Sequence, residues 1–480
     1  MSPQVHRTGI VLTPDKSRVL FRPFVLASEQ RIQKIVARVL ALPEDTVLAQ
    51  MDHVMAEFYG RHQRLAAYFD TRFRSVRSHL LTDSPISQAR QRLIGAYFTQ
   101  EYSLESAALF NPSMVWHPDQ SGLAPGSRRF ILSLRATGEG HISSVAFRTG
   151  TVDAECRIQV DTPSRFVTAA EVVPDSTYET ELFRRKLAEM DLLTDFARTI
   201  LERVNETFTH DELQRALASR TRRSGDSELN HAMAIRTLAL SNYDLDYDPD
   251  TDLSERVIFP SSPSESNGIE DARFVQFTDD DGSTRYMATY TAYNGRAIQP
   301  QLIETDDFCR FHVGTLNGAE VQNKGLALFP RRVNGQFAML SRQDNESIYL
   351  MFSDQLHFWQ TRTLLARPTY PWEYVQLGNC GSPIELAEGW LVLTHGVGPM
   401  RRYAIGAMLL DKDDPTRVIG RLAEPLLSPD ANEREGYVPN VVYSCGAALF
   451  NETLIIPYAM SDYASTFATV PIAQILAAMV

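Results

Sequence analysis

Apolar positions change their period along this chain, and the change divides it into regions. Ile32, Ile35, Val36, Val39 and Leu40 recur at helical spacing before Pro43 stops the run, which predicts an amphipathic helix. Val47, Met51, Val54, Met55 and Phe58 continue the pattern, and Ile86 to Tyr102 supplies another stretch. Roughly the first hundred residues therefore read as helical. A second helical block runs from about Tyr178 to Arg223. Within it Thr209-His210-Asp211-Glu212 forms a capping box ahead of Leu213 and Leu217. Ser224-Gly225-Asp226-Ser227 then reads as a loop.

Elsewhere the texture is β-like. Arg129 to Leu134 and Ser143 to Arg148 alternate or run apolar around the turn Gly138-Glu139-Gly140. From Asp271 onward short strands and turns succeed one another without a helical period. Three segments share a strand end followed by an acidic turn: Ile303 to Phe308, Met351 to Leu356 and Leu409 to Asp414. They lie roughly 50–60 residues apart, near the period of propeller blades. A sandwich or jelly roll would also supply short strands, but without that recurring unit. The chain is thus expected to be mainly β, with residues 1–104 an N-terminal helical region. Residues 105–480 form the β domain, interrupted by a helical insert at about 175–225.

With 480 residues there is length for a large core plus an accessory region. Net charge is −12, which argues against a nucleic-acid binder, since phosphate backbones need a basic face. It leaves room for a small cationic pocket. The four cysteines are scattered and show no metal spacing, so they read as buried thiols in a reducing compartment. Met1 to Pro23 has no continuous apolar segment, and no run of about 18 apolar residues occurs. A cytoplasmic protein with no membrane partner is expected. No phosphate-cradling Gly-rich loop, His-Glu-x-x-His or Gly-x-Ser-x-Gly appears. Asp279-Asp280-Asp281-Gly282 lacks the later ligands of a calcium loop and reads as a hairpin tip.

The most informative stretch is Gly268-Ile269-Glu270-Asp271-Ala272-Arg273, an acid beside a base. It lies between two strand-like runs, Val257 to Pro260 and Phe274 to Phe277, and reads as a turn. It resembles the Gly-x-Glu-Asp-Pro-Arg signature of glycoside hydrolase family 130, the β-mannoside phosphorylases and their hydrolytic relatives. Asn323-Lys324 to Pro330, Leu340-Ser341-Arg342, Thr394-His395-Gly396-Val397 and Glu433 to Val442 resemble further family motifs in the family's order. Asn111-Pro112-Ser113 and Ser133-Leu134-Arg135 resemble its first blade. The resemblance covers about Phe110 to Gly150 and Asn230 onward.

That resemblance implies a five-bladed β-propeller with the site in its central funnel, and an enzyme that breaks β-mannosides, most closely β-1,2-mannooligosaccharides. Inorganic phosphate would be co-substrate, α-mannose 1-phosphate the product, and no metal or other cofactor would be needed. Asp271 matches the general acid, passing its proton through a mannose hydroxyl. Lys324, Arg342 and His395 match phosphate ligands, a role that suits a point charge, a planar fork and a ring N–H. Taken singly, they read as well as a solvated lysine, a surface ion pair and a core histidine. Asn111, Ser113, Arg135, Arg273, Tyr290, Tyr293, Tyr437 and Asn440 are the substrate-binding candidates, Tyr290 and Tyr293 because sugars stack on rings. The family pattern also allows a homo-oligomer through the N-terminal helices.

Three positions depart from the family. Ala272 replaces a proline, Ser341 and Gln343 flank Arg342 where His and Pro are common, and Tyr437 stands where several members carry a sugar-contacting aspartate. Two other readings stay open. One is an inverting β-mannosidase using water, with Glu433 or Glu435 as base, since hydrolysis needs a second carboxylate. The other is a non-catalytic glycan-binding propeller.

Overall fold

A computed structural model describes residues 3–173, 177–221 and 226–480. It falls into two compact units, one of residues 15–106 with 164–169, the other of residues 1–14, 107–163 and 170–480.

The smaller unit is helical because its apolar positions repeat every three to four residues. Helices Glu29–Leu40, Glu44–Phe58, Leu65–Val76 and Gln88–Tyr97 bury Val36, Val39, Met51, Phe69, Phe73 and Leu93 in one core. Ser28 and Ser87 cap two of them, each accepting a backbone N–H three residues on, which satisfies donors a helix start leaves unpaired. Two strands, Val19–Pro23 and Thr99–Ser103, pair beside the helices.

The larger unit is built from antiparallel meanders that follow one another along the chain. Ala108–Trp116, Arg128–Thr137 and Ser143–Val152 form the first. Gly268–Thr278, Thr284–Tyr293, Ile298–Thr305 and Arg310–Thr315 form the next. Two more follow, from Ala327–Leu328 to Thr363–Ala366 and from Gln376–Asn379 to Val418–Arg421. The acidic turns between strands act locally. Asp307 Oδ1 accepts the N–H groups of Cys309 and Arg310, and Asp411 Oδ1 those of Asp413 and Asp414. Each turn caps a strand end.

The last sheet is closed from the far end of the chain. His6–Leu12 pairs antiparallel with Ala464–Pro471, which pairs with Thr453–Met460. The helical expectation for residues 1–104 misses this strand, along with Val19–Pro23 and Thr99–Ser103, the last of which ends the stretch expected to be helical as far as Tyr102. Helices Thr180–Glu189, Asp195–Leu201 and His210–Thr221 make the insert, and Thr209 and Glu212 exchange the capping-box bonds. Residues 222–223 of the expected block, and Ser224-Gly225 of the expected loop, lie outside the described residues. Asp226 and Ser227 are not loop: they begin a helix, Asp226–Leu240, that carries the insert past residue 225. Among the described residues no helix is long and apolar enough to cross a membrane.

Candidate active site

The acidic motif is not a turn between strands. Gly268–Thr278 is one continuous strand, and its register slips between Glu270, opposite Thr291, and Arg273, opposite Thr289. Three steps on one strand face two on the other, so one residue is extra. Asp271 takes the strain at φ 55°, the left-handed region in which Asp is among the more tolerant residues. The first meander repeats the device. Its register slips between Phe110, opposite Arg135, and Ser113, opposite Ser133, with Asn111 at φ 49°. The two bulges meet: Asn111 Nδ2 donates to Asp271 Oδ1 at 2.7 Å.

Charges gather round that contact. Arg135 gives Nη1 to Asp271 Oδ1 at 3.3 Å and Nη2 to Glu270 Oε1 at 2.9 Å. Glu270 Oε2 takes Lys324 Nζ. Arg273 reaches the other way, donating Nη2 to the Tyr443 hydroxyl at 2.7 Å. Burial pushes the Asp271 carboxyl upward, but Arg135, Arg273, the Asn111 bond and Lys324 together overcome it and hold the group below its ordinary range. Asp271 is ionised in this resting arrangement.

Arg342 and His395 form a second, buried pair. Arg342 donates Nη1 to His395 Nε2 at 3.0 Å. Arginine has no acceptor to offer, so that nitrogen carries the lone pair, and only Nδ1 is left to donate. Burial, then Arg342 and Arg273, drive the His395 pKa far down, so the ring is neutral. It is packed by Tyr403, stacked at 5.9 Å between centroids, and by Tyr443, edge-on at 4.9 Å. Glycines make the room: a Cβ on Gly378 would lie 2.4 Å from the His395 ring and 3.0 Å from Arg342 Nη1. Arg273 Nε, Arg342 Nε, Asn379 Oδ1 and Asn111 Oδ1 are buried without a hydrogen-bond partner. Such atoms are uncommon in a settled core, and these leave hydrogen-bonding capacity that a polar ligand could meet.

Asn111, Arg135, Arg273, Lys324, Arg342 and His395 thus share one electrostatic neighbourhood with Asp271. Lys324 lowers the Asp271 pKa, and Asp271 in turn acts on Arg342 and His395. Other expected residues are not brought in. Ser113 is fully buried and its hydroxyl accepts the Phe274 N–H at 3.0 Å. Tyr290 faces the core, its hydroxyl given to Glu265. Pairing explains this: Thr289 and Thr291 sit opposite Arg273 and Glu270, so strand alternation sends Tyr290 to the other face and leaves Tyr293 on the acidic one. Tyr437 is exposed and meets His141 at 3.2 Å, while Asn440 accepts from Arg434 Nε at 2.7 Å. Glu433 is committed to Arg7 and Tyr458, and Glu435 is exposed.

Two groups escaped the sequence reading. Tyr443 links Arg273 to His395. Asp462, in the hairpin between the last two strands, is raised to about 7, first by burial and then by Asp271 itself. No motif announced it. Among the described residues no group of three or more His, Cys, Asp or Glu is placed to hold a metal ion.

A family profile described as beta-1,4-mannooligosaccharide phosphorylase matches residues 244–480. A 1,2-beta-oligomannan phosphorylase of Thermoanaerobacter sp. (strain X514) is 34% identical over 221 residues, covering 44% of this chain and 70% of that protein. The chain belongs to glycoside hydrolase family 130. It falls among the family's β-mannoside phosphorylases. A beta-1,2-mannobiose phosphorylase of Listeria innocua serovar 6a is 32% identical over 227 residues, 46% of this family 130 chain and 62% of the relative. A solved structure of a beta-1,2-mannobiose phosphorylase from Listeria innocua, in complex with beta-1,2-mannobiose, matches over 78% of this chain and 92% of its own, with 21% identity and a TM-score of 0.46.

Proposed function

We propose that this family 130 protein is an inverting phosphorylase that cleaves β-1,2-linked mannosides with inorganic phosphate, releasing α-mannose 1-phosphate and a shortened acceptor. The observation that carries the reading is the meeting of one carboxyl group, Asp271, with a cationic cluster holding unpartnered buried donors. In phosphorolysis the phosphate is itself the nucleophile, so one acid suffices. Asp271 delivers the proton to the departing oxygen by way of a mannose hydroxyl. Lys324, Arg342 and the Nδ1–H of His395 hold phosphate on the opposite face of the ring, where attack inverts the anomeric carbon.

The depressed pKa of Asp271 fits this order of events. An acid must be protonated to act, and the surrounding cations oppose that. A phosphate anion on Lys324 and Arg342 offsets those cations and raises the Asp271 pKa, so the acid is armed when the nucleophile is bound. The β-1,2 linkage rests on what the two relatives are called. The successive meanders support a five-bladed propeller over residues 105–480, closed by the His6–Leu12 strand from outside that range. Of the helical region expected over residues 1–104, residues 15–104 fall in the smaller, largely helical unit and residues 6–12 form a strand of the larger one. Glu433 is held by two structural partners, which disfavours it as the base of the water-using alternative and leaves Glu435 as that reading's candidate.

Incubation with β-1,2-mannobiose, followed by phosphorus NMR, tests the reading. Cleavage is expected only with phosphate, with α-mannose 1-phosphate as product. Undiminished cleavage in phosphate-free buffer, or free mannose as the sole product, would sink it.

A further inference from the structure

Lys324 is the one proposed phosphate ligand already paired with a carboxylate. Its ammonium meets Glu270 Oε2, while Glu270 Oε1 holds Arg135 Nη2 at 2.9 Å, and Arg135 Nη1 goes on to Asp271. The contacts form one chain, lysine to glutamate to arginine to aspartate. We infer that Glu270 is a positioning residue that occupies Lys324 in place of phosphate while the pocket is empty, and so sets phosphate affinity. This rests on the phosphorylase reading and deepens it.

Exposure and backbone decide which partner moves. The Glu270 side chain is 12% exposed and the Lys324 side chain 37%. Glu270 is fixed at the edge of the bulge by its pairing with Thr291 and stays neutralised by Arg135 when Lys324 leaves. Lys324 is a point charge on a flexible four-carbon stem that reaches solvent. An arriving phosphate therefore meets the lysine first and takes its ammonium from Glu270, without stranding a buried charge. In the empty site the glutamate prevents Arg135 and Lys324 from facing each other as uncompensated cations. Its cost is competition: every phosphate bound must displace a carboxylate and then sit near it.

The test is steady-state kinetics of the full chain with β-1,2-mannobiose, comparing wild type with Glu270→Gln. Glutamine keeps the shape and removes the charge. The KM for phosphate is expected to fall by about 5-fold, the scale of one partly exposed ion pair, with a smaller change in the KM for mannobiose. An unchanged or raised phosphate KM overturns the inference, and so does an equal shift in both constants, which is what a merely structural role would produce. If wild type shows no phosphate dependence, the phosphorylase reading fails instead. Should the variant not fold, a crystal structure of wild type with phosphate decides. Lys324 Nζ is expected on a phosphate oxygen and beyond about 4 Å from Glu270, whereas a retained Glu270 contact with phosphate bound refutes the inference.

Discussion

At the scale of single residues, two carboxyl groups in one field have their pKa values displaced in opposite directions. Asp271 is held down by Arg135, Arg273, Asn111 and Lys324 despite burial, and Asp462 is raised to about 7 by burial and by Asp271. Replacing Asp271 with Asn removes the proposed proton donor but keeps an oxygen for Asn111, so turnover is expected to fall by about 10²–10⁴-fold, with a lower melting temperature near pH 7 because Arg135 and Arg273 lose a compensating charge. Asp462 carries the opposite sign in stability. Its folded pKa lies above the unfolded value near 3.9, so its contribution is present at acid pH and lost as pH rises through about 7. Asp462→Asn is therefore expected to melt with wild type near pH 3 and increasingly above it as pH rises to 8. Melting curves that stay parallel across that range would show that Asp462 is not the strained group. Asp271, Lys324, Arg342 and His395 were legible because each sits in a recognisable short motif. Asp462 was not, since nothing in Met460-Ser461-Asp462-Tyr463 shows that a hairpin will bring it beside a residue almost 200 positions earlier.

At the scale of elements, the site depends on two matched irregularities. A regular strand would send Glu270 and Asp271 to opposite faces; the extra residue turns Asp271 back toward Asn111 and Arg135. Sequence patterning misreads this as a turn because the bulge interrupts the alternation at Asp271-Ala272. Tyr290 failed for a related reason: which face a strand residue takes follows from register, and register follows from pairing the sequence does not display. Gly268 holds the strand's entry. It sits at φ 128°, and a Cβ there would lie 2.7 Å from the Ser143 backbone nitrogen, a residue with which it pairs. Gly268→Ala is expected to cost about 2 kcal/mol or more, from backbone strain and the clash together. Urea unfolding would report it as a lower midpoint with an unchanged slope. An unaltered midpoint would mean that the strand's start can shift without disturbing the sheet.

At the scale of the whole molecule, the larger unit is completed by residues from both ends of the chain. His6–Leu12 was invisible to a reading that called this region helical, because its partner strand Ala464–Pro471 lies about 450 residues away and local period alone cannot pair them. Arg7 on that strand donates Nε and Nη2 to Glu433 at 2.9 and 3.0 Å, and Glu433 also takes the Tyr458 hydroxyl. Burial pushes the Glu433 carboxyl up, but Arg7, Tyr458 and the Asp430 N–H bring it below its ordinary value. A depressed acid contributes stability above its unfolded pKa and loses it as pH falls. Arg7→Ala leaves that carboxylate buried with one fewer cation, a loss of about 2 kcal/mol near pH 7. The gap is expected to narrow toward pH 3, below the ordinary carboxylate value, as Glu433 protonates and no longer needs the guanidinium. Paired thermal melts at the two pH values measure it. No deficit at either pH would assign the closure to backbone pairing alone, and an equal deficit at both to Arg7 contacts that do not need the Glu433 charge, such as its bond to the Ser428 carbonyl, whereas a deficit confined to neutral pH would make one ion pair the clasp that joins the first strand to the last sheet.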